Sequence, residues 1–157
     1  MLLLPFPAPP FDENTFLLAC LETRQAVIID PGEGTHALIE RVRKDEFEPT
    51  AILLTHAHLD HSGFVPRLVQ LGFKGRVYCT SATRELCELL LPDSGRLQEE
   101  DADFANRHGH SKHKPALPLF TVMDARAALE LLRPVAFDRP IALPGGASLY
   151  LRRAGHI

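Results

Sequence analysis

A chain of 157 residues, 45% hydrophobic and 24% charged, has the length and make-up of one globular domain with its own core. Its formal net charge of −3 excludes a general attraction for polyanions, so a nucleic-acid substrate would need a local basic patch or a domain elsewhere. The three cysteines, Cys20, Cys79 and Cys87, form no CxxC pair and are too few for a disulfide framework; buried free thiols in a reducing cytoplasm are expected.

The apolar start, residues 1–10, lacks a basic lead and is broken by four prolines, so it does not read as a signal peptide. No run is long enough to span a membrane. Residues 16–21 and 26–30 are β-prone runs around a polar turn, which predicts a hairpin. After the break at Pro31-Gly32-Glu33-Gly34, Thr35 offers an N-cap for a helix to about Lys44. Leu38, Ile39 and Val42 share one face of it, and His36 is expected to face solvent at its start.

Pro49 closes that region, and residues 51–55 read as a fully buried strand. Pro66 opens a short helix to Leu71, and Gly72 and Gly75 flank the turn into a strand at 76–79. Thr80 or Ser81 caps a helix to about Leu91, which Pro92 is expected to stop. Residues 93–118 are polar, acidic at 99–103 and basic at 107–114. His108, His110 and His113 in the basic part read as a solvated loop rather than a metal site. Thr121 and Asp124 suit a capping box for a helix to Leu132. Residues 147–153 look like a strand, followed by Ala154-Gly155-His156-Ile157. Alternating strands and helices make this an α/β chain.

The chemistry concentrates in His56-Ala57-His58-Leu59-Asp60-His61, directly after the buried strand. Two imidazoles spaced by one residue can be aimed at one point by an extended or tightly turned backbone. A carboxylate and a third imidazole follow where the chain turns away. Imidazole suits zinc, and the mixed set also suits manganese or iron. The alternative is a histidine-rich polar loop, but loops at strand ends are where functional residues gather.

This HxHxDH run resembles the signature of the metallo-β-lactamase superfamily, whose fold is an αβ/βα sandwich of two sheets between helices. The resemblance implies that His56 and His58 hold a first ion and that Asp60 and His61 hold a second and serve catalysis. It implies that His156, in Ala154-Gly155-His156, completes a three-histidine site. Asp30, before Pro31-Gly32, matches an early aspartate of the family that would orient the ligands; the alternative is a plain turn residue.

Two branches of the family are similar to different stretches. Residues 1–50, through Phe11-Asp12-Glu13-Asn14-Thr15-Phe16 and the stretch 26–32, resemble glyoxalase II-like thioester hydrolases. Residues 51–157 resemble the β-CASP RNA-processing nucleases. That likeness rests on Leu59 within the histidine run, Ser62-Gly63, Pro66, the stretch 75–83, Leu91-Pro92-Asp93-Ser94-Gly95, Gln98-Glu99-Glu100 and Ala154-Gly155-His156-Ile157. It implies RNA phosphodiester cleavage by a zinc-bound hydroxide, with one or two zinc ions. Thioester hydrolysis or an inactive metal-binding half-domain are the alternatives. Arg107, Lys112 and Lys114 are lesser candidates for attracting RNA phosphates.

Against the family pattern, residues 1–157 correspond to the N-terminal half of the sandwich, a single incomplete domain with a helical insertion at 92–132. The second half of the domain and any β-CASP domain lie outside this sequence, so it reads as truncated or chimeric. On that expectation it is a weak catalyst by itself, located in the cytoplasm and able to form a homodimer.

Overall fold

The structure is a computed structural model that describes residues 1–8, 13–143 and 146–156. The parts of the sequence reading that fall on Pro9, Pro10, Phe11, Asp12 and Ile157 lie outside the described residues.

The chain opens with a strand that the proline-broken pattern concealed. In β1 (Leu2–Ala8), Leu2, Leu4, Phe6 and Ala8 turn inward while Leu3, Pro5 and Pro7 turn out. The strand lies at the edge of the sheet, where every second N–H points away from the neighbour and a proline costs no ladder bond. β1 pairs antiparallel with β2 (Glu13–Ala19), and β2 with β3 (Gln25–Ile29), the expected hairpin.

From β3 onward the strands run parallel, each reached through helices. α1 (Thr35–Lys44) leads to β4 (Glu48–Leu53), and α2 (Leu59–Ser62) and α3 (Val65–Gln70) lead to β5 (Arg76–Cys79). α4 (Ser81–His108) and α5 (Val122–Leu129) lead to β6 (Leu132–Pro134). The six strands lie in the order β1-β2-β3-β4-β5-β6. β4 begins at Glu48, so Pro49 lies inside the strand rather than ahead of it. The register against β3 shifts there, pairing Ala26 with Pro49 and Val27 with Ala51, which leaves Thr50 as an extra residue. Such a bulge is a place where a sheet accepts a proline.

Alternation along the strands sorts the two faces. Leu17, Ala19, Ala26, Ile28, Ile52, Val77 and Cys79 pack beneath Leu38, Val65, Leu68, Cys87, Leu91 and Ala125 of the helices, forming the main core. On the opposite face, Val27 and Ala51 meet Leu143. Leu143 follows β7 (Ile141–Ala142), which pairs antiparallel with β8 (Ser148–Leu149) in a separate ribbon. The architecture is therefore α/β, with helices on one face and the start of a second sheet on the other. The strand expected at 147–153 is limited to β8.

α4 departs most from expectation, for it continues through Pro92 to Gly109, which ends it with φ at 69°. A proline removes one helix hydrogen bond. The buried residues Cys87, Leu91, Gly95 and Ala102, together with Arg96 paired to Asp93 and Glu100, carry the helix past it. A Cβ on Gly95 would stand 2.9 Å from the Thr121 carbonyl carbon, so α4 meets the start of α5 backbone to backbone. Gln98 and Glu99 accept N–H groups of Leu119 and Val122, so part of the polar stretch serves the packing.

The Thr121–Asp124 capping box forms as expected. α5 ends at Leu129, however, and Leu132 is a buried strand residue rather than the helix end. At α1 the cap is Gly34, and Thr35 is the buried first helical residue, its hydroxyl without a partner among the described residues. Cys79 and Cys87 are buried free thiols, pushed by burial to about 12 and about 11. Cys20 is only half-buried, and a hydrogen bond from the Thr23 side chain lowers its pKa. No described helix is long and apolar enough to cross a membrane.

Candidate metal centre

The ends of parallel strands are where an open α/β sheet builds its sites, and the histidine run stands there, after β4. Its foundation is the end of β3. Asp30 is buried, with φ at 49°. Its Oδ1 accepts the Thr55 N–H at 2.7 Å and its Oδ2 accepts the Thr55 hydroxyl at 2.7 Å. Thr55 Oγ1 is also 3.0 Å from His56 Nδ1. The hydroxyl has a single proton, given to Asp30, so His56 Nδ1 is the donor in this contact. That leaves His56 Nε2 with a free lone pair turned away from Asp30, as a metal ligand requires.

The turn after β3 is tied to the histidine loop at several points. Phe64 N–H donates to the Pro31 carbonyl at 3.0 Å, and Gly32 N–H to Thr15 Oγ1 at 3.1 Å. A Cβ on Gly32 would fall 1.8 Å from the Asp60 carbonyl oxygen. The loop is braced from within by Ser62, whose hydroxyl reaches the carbonyls of Ala57 at 2.9 Å and His58 at 3.0 Å.

On this base three imidazoles converge. His56 Nε2 and His58 Nδ1 are 3.2 Å apart, close to the separation of about 3.3 Å that two ligands take on one tetrahedral zinc. His156 joins them from the far end of the chain, its ring centroid 4.7 Å from that of His56 and 5.6 Å from that of His58. One ligand nitrogen from each lies within 4.8 Å of the others, and this is the one group of three or more such side chains among the described residues. His56 is buried, while His58 and His156 are exposed to the cleft. Burial holds the His56 imidazole below its ordinary range, and the neighbouring His61, His58 and His156 push the same way against the pull of Asp30. A neutral imidazole is the form that binds metal, so the donor set fits a divalent ion.

Asp60 and His61 form a pair beside this cluster. His61 Nε2 is 3.4 Å from Asp60 Oδ2, and the His61 ring centroid is 4.1 Å from that of His56. Its Nδ1 is buried 3.1 Å from Asp30 Oδ2, out of line for a hydrogen bond. Asp30 thus faces both Thr55 and His61. A turn residue alone would not need those contacts. No third ligand joins Asp60 and His61 among the described residues.

The remaining histidines stand apart. His36 is exposed at the start of α1, its ring edge-on to Phe64 at 4.7 Å. His108 stacks on Phe104 at 4.1 Å and His110 lies 5.8 Å from it, both exposed. Thr55 is the site residue that sequence reasoning missed. Its signal was present: a hydroxyl closing an apolar strand immediately before a histidine.

Comparison with known proteins places the chain in a family. The family model described as metallo-beta-lactamase superfamily matches residues 8–153, stopping short of His156. A ribonuclease of Thermus thermophilus is 37% identical over 113 residues, 72% of this chain and 22% of that protein. A transcription termination factor of Methanocaldococcus jannaschii is 34% identical over 107 residues, 68% of this chain and 15% of that one. A hydroxyacylglutathione hydrolase of Xylella fastidiosa is 38% identical over 78 residues, half of this chain and 30% of its own. The chain thus spans about a fifth of the ribonuclease's length. Among solved structures, a B3 metallo-beta-lactamase aligns over 95% of this chain and 59% of its own, with TM-score 0.56 and 24% identity. A protein crystallised in a di-iron-bound form aligns over 90% of this chain and 61% of its own, with TM-score 0.51 and 30% identity.

Proposed function

The chain belongs to the metallo-beta-lactamase superfamily, and from that premise we propose that it is the metal-binding part of a hydrolase that cleaves RNA phosphodiester bonds. One observation carries the reading: His156, 98 residues beyond His58 in the sequence, comes to the same point as His56 and His58. Likeness to a ribonuclease supports RNA as the substrate. Likeness to a hydroxyacylglutathione hydrolase supports a thioester as the second reading.

His56, His58 and His156 would hold the first ion, with zinc as the proposed metal; Asp60 and His61 would hold a second and serve catalysis. Manganese or iron are alternatives, iron being the metal of one similar structure. A bound divalent ion would supply Lewis acidity, lowering the pKa of a water from about 15.7 toward 7 and offsetting charge on the phosphorus centre. The protein's own part is orientation. Asp30 and Thr55 hold His56 in one tautomer, and Gly32 and Ser62 set where the loop turns. Residues 92–132 are proposed as a helical insertion within one domain, the cytoplasm as the compartment and a homodimer as the assembly.

The test measures metal content and turnover of RNA and of a glutathione thioester on one metal-loaded preparation. RNA cleavage in proportion to bound metal, lost on chelation, is the expected result. Thioester turnover without RNA cleavage would move the substrate to the second reading. Bound metal with neither activity would mean a metal-binding half-domain.

A further inference from the structure

The histidine cluster opens onto a cleft of about 1120 Å³, walled by the start of α4 on one side and by residues 149–156 on another. Its charge is unlike that of the whole molecule. The chain has 20 acidic residues against 17 basic ones. Yet the only formally charged side chains on this wall, histidines aside and among the described residues, are Arg152 and Arg153. No carboxylate among the described residues lines it. A concave surface of one sign focuses its field on an approaching ion of the other sign.

Two aromatic rings share the same wall. Tyr150 is 51% exposed and Phe137 38% exposed, in a chain with two tyrosines and no tryptophan. The Arg153 guanidinium sits over the Phe137 ring at 5.4 Å, which holds it in place by cation–π attraction without neutralising it. Arg152 has one loose, exposed carboxylate neighbour, Asp138 at 3.7 Å, a contact that a phosphate oxygen can replace at small cost. Two residues separate Arg153 from His156, so the two lie at most about 10 Å apart along extended chain.

We infer that Arg152, Arg153, Tyr150 and Phe137 form the subsite that holds single-stranded RNA beside the histidine cluster, the arginines on phosphates and the rings against bases. This rests on the RNA reading above. Basic groups interleaved with aromatic ones are how proteins grip unpaired strands, since every base offers a face for stacking. A small dianion would use the arginines but leave both rings idle.

The experiment is equilibrium binding of a labelled single-stranded oligoribonucleotide to the metal-loaded 157-residue chain over a series of salt concentrations, with a glutathione thioester as a parallel ligand. Each phosphate contact contributes about 0.7 to the slope of log affinity against log salt for a single strand. The double replacement Arg152→Gln with Arg153→Gln should therefore flatten the slope by about 1.4. Tyr150→Leu should weaken binding at least about 5-fold and leave the slope unchanged. Metal content should stay that of the parent in both variants. RNA binding with the parental slope in the double variant would overturn the subsite while leaving the RNA reading intact. Thioester binding without RNA binding would overturn the RNA reading and the subsite with it.

Discussion

His58→Ala should sharply lower the metal retained after dialysis, with an affinity loss of at least about 100-fold. Removing a residue that only supports a ligand costs 10- to 100-fold, and His58 stands among the ligands themselves. Its Nδ1 is 3.2 Å from His56 Nε2, so its loss leaves two imidazoles where three converged. The side chain is exposed, and its neighbours are held by backbone contacts that alanine keeps, among them Ser62 N–H to the residue 58 carbonyl at 2.9 Å. The folded structure should therefore survive. His110→Ala is the matched control: another exposed histidine, on a loop outside any three-ligand group of the described residues. Elemental analysis should show parental metal in that variant. Equal loss in the two would mean that the site has been misplaced.

Gly32→Ala should cost more stability than its one added methyl suggests. The new Cβ would lie 1.8 Å from the Asp60 carbonyl oxygen and 2.9 Å from the carbonyl carbon, so backbone rather than a flexible side chain must move. Overpacking in a core costs about 1–3 kcal/mol, and the upper end or beyond is expected where neither backbone can yield. The displaced residue is Asp60, inside the histidine run, so metal binding should fall with stability. Gly109→Ala separates this from an ordinary glycine effect. Its φ is 69° and nothing lies within 4 Å of its Cβ position, so strain of about 1–2 kcal/mol is expected with parental metal content. Thermal unfolding and elemental analysis of both proteins would decide, and a stable, fully metallated Gly32→Ala protein would contradict the role given to this contact.

What could be read from the sequence was what short-range pattern determines. The hairpin of β2 and β3, the span of α1, strand β5 and the Thr121–Asp124 cap each follow from a few adjacent residues. The clustering of ligands at the end of β4 is equally local. The misreadings share another cause, which is packing that overrides a local rule. Prolines in β1 are harmless because the strand is an edge, a fact of the sheet and not of residues 2–8. Pro92 does not stop α4 because a buried stripe continues beyond it. Leu132 continues an apolar run from α5, yet it pairs with Val77 as a strand.

In the site, the nearness of His156 to His56 came from family resemblance, since no local pattern joins residues 100 apart. The contact of Gly32 with Asp60 had no signal in the sequence at all. Asp30 reads in the sequence as a ligand-orienting residue or as a turn, and each reading has support in its geometry. Its backbone has the positive φ of a turn while its carboxylate holds Thr55.

The central claim is that His56, His58 and His156 share one metal ion, and locating the metal in zinc-loaded crystals by anomalous X-ray scattering tests it most directly. The predicted result is a strong peak about 2.0–2.1 Å from one nitrogen of each of the three rings. A strongest peak at His108 or His110, or one at His56 and His58 that His156 does not reach, would contradict it.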